Sequence, residues 1–240
     1  MKNDSALDEV VATLLSADPD CLITASVLRD TFDQLYDGQH TGRFRWDQLS
    51  KTEKTHFGTI VEINLRRRFD GAITDGGKLD FRIAGHDVDC KYSQKSGSWM
   101  IPKECIGKLA LVCTADDSAS RWSIGVVRTS VENLRTSTNR DAKTGLSRDG
   151  MKAVRWLHHN AALPPNVLLR LDAASIEYVM SPSSGNEHEA VLRGRLRAGR
   201  RGDLAAEFAL TAWTPVGWAE LGEFAPIPAG VDDRRDMSFR

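Results

Sequence analysis

Apolar residues recur at helical spacing through the N-terminal part of the chain, in "ALDEVVATLL" from Ala6 and in "SVLRDTFDQLY" from Ser26 to a break near Gly38. A third helix has a marked beginning. Ser50 with Glu53 three residues later is a capping-box pattern, and Phe57, Ile60, Val61, Asn64 and Leu65 extend an apolar stripe to about Arg68. Gly71 and the "TDGG" at 74–77 end it, and the period then becomes two. Leu79, Phe81 and Ile83 alternate with Asp80 and Arg82, and Val88 and Cys90 alternate with Asp89 and Lys91. A two-residue turn at Gly85 and His86 pairs Ile83 with Val88, Arg82 with Asp89, Phe81 with Cys90 and Asp80 with Lys91. The predicted hairpin has an apolar face and a charged one. The runs at 109–114 and 122–127 predict further strands of the same sheet.

Beyond the strands the pattern changes twice. Residues 135–147, "RTSTNRDAKTGLS", are polar without period and predict an interdomain connection. Helices are expected to resume in "SRDGMKAVRWLHHNAA", capped by Ser147, and then in "LPPNVLLRL" and "AASIEYVMS". A turn at Pro182 to Gly185 leads into an arginine-rich segment, so residues 174–197 have the outline of a helix-turn-helix with 187–197 as its recognition helix. The expected organisation is an α/β domain over 1–138 with a mixed central sheet flanked by helices, a linker at 139–147, and a smaller helix-turn-helix (winged-helix-like) domain over 148–240. "EFALTAW" at 207–213 suggests one late strand.

Charge modifies this picture locally. The formal net charge of -1 argues against a simple basic nucleic-acid coat, yet residues 121–155 hold eight basic side chains against three acidic ones. Arg193, Arg195, Arg197, Arg200 and Arg201 form a second basic cluster. Either is a solvated face or a surface that contacts phosphates. The four cysteines lack Cys-x-x-Cys spacing, and no apolar run approaches a membrane span, so reduced thiols in a cytoplasmic protein are expected.

The charged hairpin face admits two readings. Asp80 with Lys91 and Asp89 with Arg82 are cross-strand ion pairs that an exposed sheet face carries at little net energy. Alternatively, two neighbouring carboxylates hold a hard divalent cation, and a lysine two residues from Asp89 stabilises charge developing on phosphorus. Glu62, on the preceding helix, is the natural third carboxylate, with Arg66 four residues on as its competing partner.

Asp80, Asp89, Cys90 and Lys91 spell the Asp…Asp-x-Lys form of the PD-(D/E)XK nuclease motif. The surrounding "KTEKTHFGTIVEINL", "LDFRIAGHDVDCKYSQKSGSWMIP", "LSRDGMKAVRWLHHNAALPPNVLLRL" and "VMSPSSG" resemble the NaeI family of type II restriction endonucleases. The resemblance runs from about Ser50 to the basic segment. It implies a restriction-endonuclease-like fold with magnesium held by Glu62, Asp80 and Asp89, and Lys91 as the catalytic lysine. It also implies a homodimer that cuts double-stranded DNA within a short palindrome, and a second, winged-helix-type domain that binds another copy of the site as effector. The second domain looks shortened here, because "RAGRRGDLAAEF" departs from the family's continuation. Lys95, Lys103, Arg140, Lys143, Arg148, Arg193 and Arg197 are the expected DNA contacts. A non-cleaving DNA-binding regulator and a monomeric repair or nicking nuclease are the alternative functions. His158 and His159 are expected on different faces of a helix, which disfavours a shared metal. Trp99 and Met100 are both expected in the core, with the lining of a DNA cleft as the alternative.

Overall fold

The first helix, α1 (Ser5–Ala17), begins where the Asp4 carboxylate accepts from the Leu7 amide at 3.1 Å, and it buries Leu7, Val10, Val11 and Leu14 along one stripe. The structure, a computed structural model, describes residues 4–180. Helix α2 (Leu22–Tyr36) is entered through Cys21 in the left-handed region, and the buried Asp18 carboxylate accepts from the Ile23 and Thr24 amides at 3.0 and 2.8 Å. A single turn, α3 (Gly38–Thr41), precedes α4 (Lys51–Arg68). The capping box expected at α4 is formed in both directions: Ser50 Oγ accepts from the Glu53 amide, and Glu53 Oε2 accepts from the Ser50 amide at 2.8 Å.

Six strands follow in sequence order across one sheet: β1 (Thr74–Asp75), β2 (Phe81–Ile83), β3 (His86–Tyr92), β4 (Leu109–Asp116), β5 (Arg121–Arg128) and β6 (Arg155–Ala162). β3 and β4 pair in parallel and every other neighbouring pair is antiparallel, so the sheet is mixed as expected. A parallel pair needs a crossover. Here residues 93–108 supply it, with a short 3-10 turn at Lys103–Cys105.

The β2–β3 turn departs from the expected position. The two turn residues are Ala84 and Gly85, both at positive φ (50° and 79°), and the register pairs Phe81 with Val88, Arg82 with Asp87 and Ile83 with His86. Two consecutive left-handed residues suit a hairpin because the turn's twist then matches that of the strands. The register moves by two residues, so the faces survive: Phe81, Ile83, Val88 and Cys90 are all buried. The expected pairing of Asp89 with Arg82 is lost, and Arg82 is exposed opposite Asp87.

Both faces of the sheet are covered. α1, α2 and α4 pack against Leu109, Leu111, Cys113, Ile124 and Val126 on one side. On the other, the crossover and the segment before β6 bring Trp99, Ile101, Cys105, Leu134, Leu146 and Val154 onto Ala110, Val112 and Val127. Trp99 is 1 % exposed and donates to the Cys113 carbonyl at 2.8 Å, as core packing requires, while Met100 remains exposed.

Two expectations about the middle of the chain are corrected. The helix read from Ser147 is only one turn, α5 (Arg148–Lys152), and the residues after it form β6, an edge of the sheet. Gly125 permits that approach, because a Cβ there would stand 2.7 Å from Val154 Cγ1. On β6, Trp156 pairs with Gly125 and His158 with Ile124, so Leu157 is an extra residue in the strand. His158 stacks on Trp122 and His159 on Trp156, on a strand rather than a helix. The polar stretch at 139–147 is likewise no free linker. Ile101 and Thr144 exchange amide hydrogen bonds at 2.7 and 2.9 Å, and Leu146 is buried. The sheet therefore extends through residue 162, well past the expected boundary at 138.

Beyond β6 the chain is pinned back to the sheet. Asn166 donates to Asp117 at 2.9 Å, and Asp117 also accepts from Tyr36 at 2.8 Å and pairs with Arg29. A 3-10 turn at Val167–Arg170 takes the place of the proline-led helix, and α6 (Ala173–Met180) follows. α6 covers the beginning of the expected helix-turn-helix. The remainder of that motif, with Arg193, Arg197 and the late strand at 207–213, lies outside the described residues. Among the described residues, no single helix is long and apolar enough to cross a membrane, and all four cysteines are buried free thiols.

Candidate active site

Strand alternation places Asp89 and Lys91 on the same side of β3, opposite to Val88 and Cys90. They sit across from Ala110 and Val112 of β4, beneath the second apolar cluster. Both faces of the sheet being covered, Asp89 is only 4 % exposed. Its Oδ2 lies 2.7 Å from Lys91 Nζ, yet that oxygen accepts no well-directed hydrogen bond. The lysine's hydrogen bond goes instead to the Cys90 carbonyl at 2.9 Å. The contact between Asp89 Oδ2 and Lys91 is an ion pair whose acceptor keeps lone-pair capacity.

Asp80 joins from just before β2. β2 begins only at Phe81, so the Cys90 amide of β3 has no β2 partner and donates to Asp80 Oδ2 at 2.8 Å. The same oxygen is 3.5 Å from Lys91 Nζ, which realises the expected pairing of Asp80 with Lys91. Lys91 thus bridges the two carboxylates.

Glu62 approaches from α4, which packs on β3. Burial, and next the charge of Asp80, hold its carboxyl above the usual range, against the pull of Arg66 and Lys91. Arg66, the competing partner, forms its ion pair with Asp75. Asp89 is also held above the usual carboxylate range, chiefly by burial and in part by Asp80, although Lys91 opposes the shift. For Lys91 itself burial favours the neutral amine, but the pairing with Asp89 outweighs it and the ammonium titrates above the ordinary lysine range. The three carboxylates therefore feel one another's charge, with one lysine offsetting part of it.

Oxygen donors of this kind suit a hard cation. Asp89 Oδ2 is buried with spare acceptor capacity, and burial first, with the neighbouring Asp80 charge after it, raises the carboxyls of Glu62 and Asp89. No three Asp, Glu, His or Cys side chains among the described residues already form a coordination shell. The donors are of the chemical kind that a hard divalent cation takes, and Lys91 stands beside Asp89.

Spacing along the sequence missed one neighbour. Cys105, in the 3-10 turn of the crossover, is buried in the apolar cluster that contains Ala110, the residue paired with Asp89, and its thiol feels the Asp89 charge. Burial and the Asp89 charge push that thiol far up, so it stays protonated. Nothing local in "PKECIG" signals this proximity.

The basic side chains lie on the loops over the second face. Lys95 is exposed on the crossover, Arg140 and Lys143 on the hairpin-like segment between Leu134 and Leu146, and Arg148 at the start of α5. These loops adjoin one another, since Ile101 bridges to Thr144 and Met151 lies against Gly97. Lys103 is exposed in the turn that carries Cys105.

Residues 8–201 match a protein family described as restriction endonuclease NaeI. The type II restriction enzyme NaeI of Lentzea aerocolonigenes is 48 % identical over 189 residues, which cover 77 % of this chain and 58 % of that enzyme. The chain thus spans less than two thirds of its relative's length. With the match extending over most of the sequence and including the whole charged cluster, this chain belongs to the NaeI family of restriction endonucleases.

Proposed function

We propose that the protein is a magnesium-dependent, sequence-specific type II restriction endonuclease that hydrolyses phosphodiester bonds of double-stranded DNA within a short palindrome. The observation that supports this most directly is the meeting of Asp80, Asp89 and Lys91, with Glu62 beside them, in a member of this family.

Glu62, Asp80 and Asp89 would hold the cation, which when bound supplies positive charge to a phosphoryl oxygen and lowers the pKa of a water. The chain's own groups do the rest. Lys91 is kept protonated by its acidic neighbours and offers ammonium donors to the negative charge that grows on phosphorus. The hydrogen bond to the Cys90 carbonyl fixes where that ammonium stands. The apolar cover of Trp99, Ile101 and Leu146 restricts water on the Asp89 side, which strengthens each charge interaction within. Lys95, Arg140, Lys143 and Arg148 would grip phosphates beside the site, and Arg193 and Arg197 would serve a second DNA-binding unit. A homodimer accounts for palindromic cutting, because a two-fold site is matched by a two-fold protein.

The test is incubation of the purified protein with unmethylated plasmid and phage DNA, in magnesium and in chelator. Discrete magnesium-dependent fragments are expected, and their sequenced ends define the site. Retardation of DNA without cleavage would instead indicate a binding regulator, and nicks made by a monomer would indicate a repair-type nuclease.

A further inference from the structure

We propose that Arg82 is a substrate-binding residue: its free guanidinium, at the open side of the acidic site, grips a backbone phosphate of DNA next to the one that is cut. The inference deepens the nuclease reading and rests on it for the cut, while the grip follows from the placement of Arg82.

The argument starts from the way into the site. Asp89 lies beneath the apolar cluster that holds Ala110, its partner on β4, and its side chain is 5 % exposed. Asp80 and Lys91 are 28 % and 24 % exposed, so a phosphate reaches the site past Asp80, on the β2 side. Phe81 and Ile83 are buried in the first cluster, and alternation turns Arg82 to the opposite face, the one that carries Asp89 and Lys91. Arg82 therefore stands exposed on the side from which the substrate comes.

Its charge is also unspent. Arg82 is directly opposite Asp87, where side chains of facing residues begin about 5 Å apart. Yet its guanidinium makes no ion pair or hydrogen bond among the described residues, and Asp87 Oδ1 is buried without a partner. Lys91, by contrast, is shared between Asp80 and Asp89. A phosphate that enters among three carboxylates needs a cation the protein has not already used. Arginine suits that task, because its planar fork offers two parallel donors to phosphate oxygens. Residues two apart on a strand are about 7 Å apart, so Arg82 meets a phosphate beside the one at Asp80 and not that one itself. Its contribution is to binding.

The test compares R82A and R82K with the parent on a fluorescein-labelled random-sequence DNA duplex in chelator, and on cleavable plasmid in magnesium. R82A is expected to bind about tenfold more weakly, with the slope of log affinity against log salt smaller by about 1, while R82K keeps the slope. In cleavage, KM for DNA should rise about tenfold in R82A with kcat within about twofold of the parent. A double-mutant cycle of R82A with D87N, read by urea unfolding without DNA, should be additive, because the two side chains do not pair. Unchanged affinity and slope in R82A, a loss confined to kcat, or coupling above about threefold in the unfolding constant would each overturn the proposal. A parent that binds DNA with this dependence on Arg82 but leaves it intact in magnesium ends the nuclease reading alone. One that cleaves while R82A binds as tightly ends the Arg82 proposal alone, and one that binds no DNA ends both.

Discussion

Asp89 is asked to be buried and ionised at once, and the residues around it show how that is reconciled. Lys91 supplies charge at 2.7 Å, and Asp80 shares the same ammonium at 3.5 Å. Near-isosteric neutral replacements, Asp89→Asn and Lys91→Gln, should therefore stay folded by circular dichroism yet cleave DNA slower by about two to three orders of magnitude. Glu62 permits a test of opposite sign. Its folded carboxyl titrates above the unfolded one, because burial and then Asp80 disfavour the ion. The penalty is present above the folded pKa and vanishes as pH falls below the unfolded carboxylate range. Glu62→Gln should then raise the urea midpoint of cation-free protein at neutral pH, by a few tenths of a kcal/mol for a partly exposed group, with no gain near pH 4. Magnesium should stabilise the parent more than this variant. Asp80, Asp89 and Lys91 were legible in the sequence because a period-two pattern places them around one hairpin face. Cys105 was not, since its place near Asp89 depends on how the crossover folds back over the sheet.

Among the elements, local signals are legible in the sequence and junctions are not. α4 begins where Ser50 and Glu53 say it does, because a capping box is satisfied by residues three apart. Ser50→Ala should lower stability by about 1 kcal/mol in urea titration. The β2–β3 turn was misplaced by one residue, since Ala84 gives no hint that it adopts a left-handed conformation. That conformation is unfavourable for alanine and common for asparagine, and asparagine before Gly85 makes the preferred hairpin pair. Ala84→Asn should raise the unfolding midpoint, by about 0.5–1 kcal/mol in stability, with cleavage unchanged. β6 was read as a helix for a different reason. The extra residue at Leu157 interrupts the alternation, so neither period describes "RWLHHNAA".

On the scale of the whole molecule, charge is distributed so that a nearly neutral chain presents a basic loop surface beside an acidic site. Lys95→Ala, Arg140→Ala, Lys143→Ala and Arg148→Ala should each weaken DNA binding about equally across sequences. Each should reduce the slope of log affinity against log salt by about 1, measured by fluorescence anisotropy in calcium or chelator. The architecture itself was legible as a mixed sheet with helices, since the apolar runs of β4 and β5 are unambiguous. Its extent was not, because the polar segment at 139–147 is held by backbone pairing and a few apolar anchors that composition does not display.

The position of β6 bears on what a gene of this kind must encode. Every residue of the acidic site is translated before residue 92, yet the strand that shields β5 is specified only at 155–162. A reading frame interrupted within the polar segment would retain Glu62, Asp80, Asp89 and Lys91 while leaving Trp122, Ile124 and Val126 along an open edge suited to pairing with other chains. Such a truncated product would carry the whole acidic cluster and aggregate, so an intact cluster in a shortened homologue says little about whether that homologue still folds.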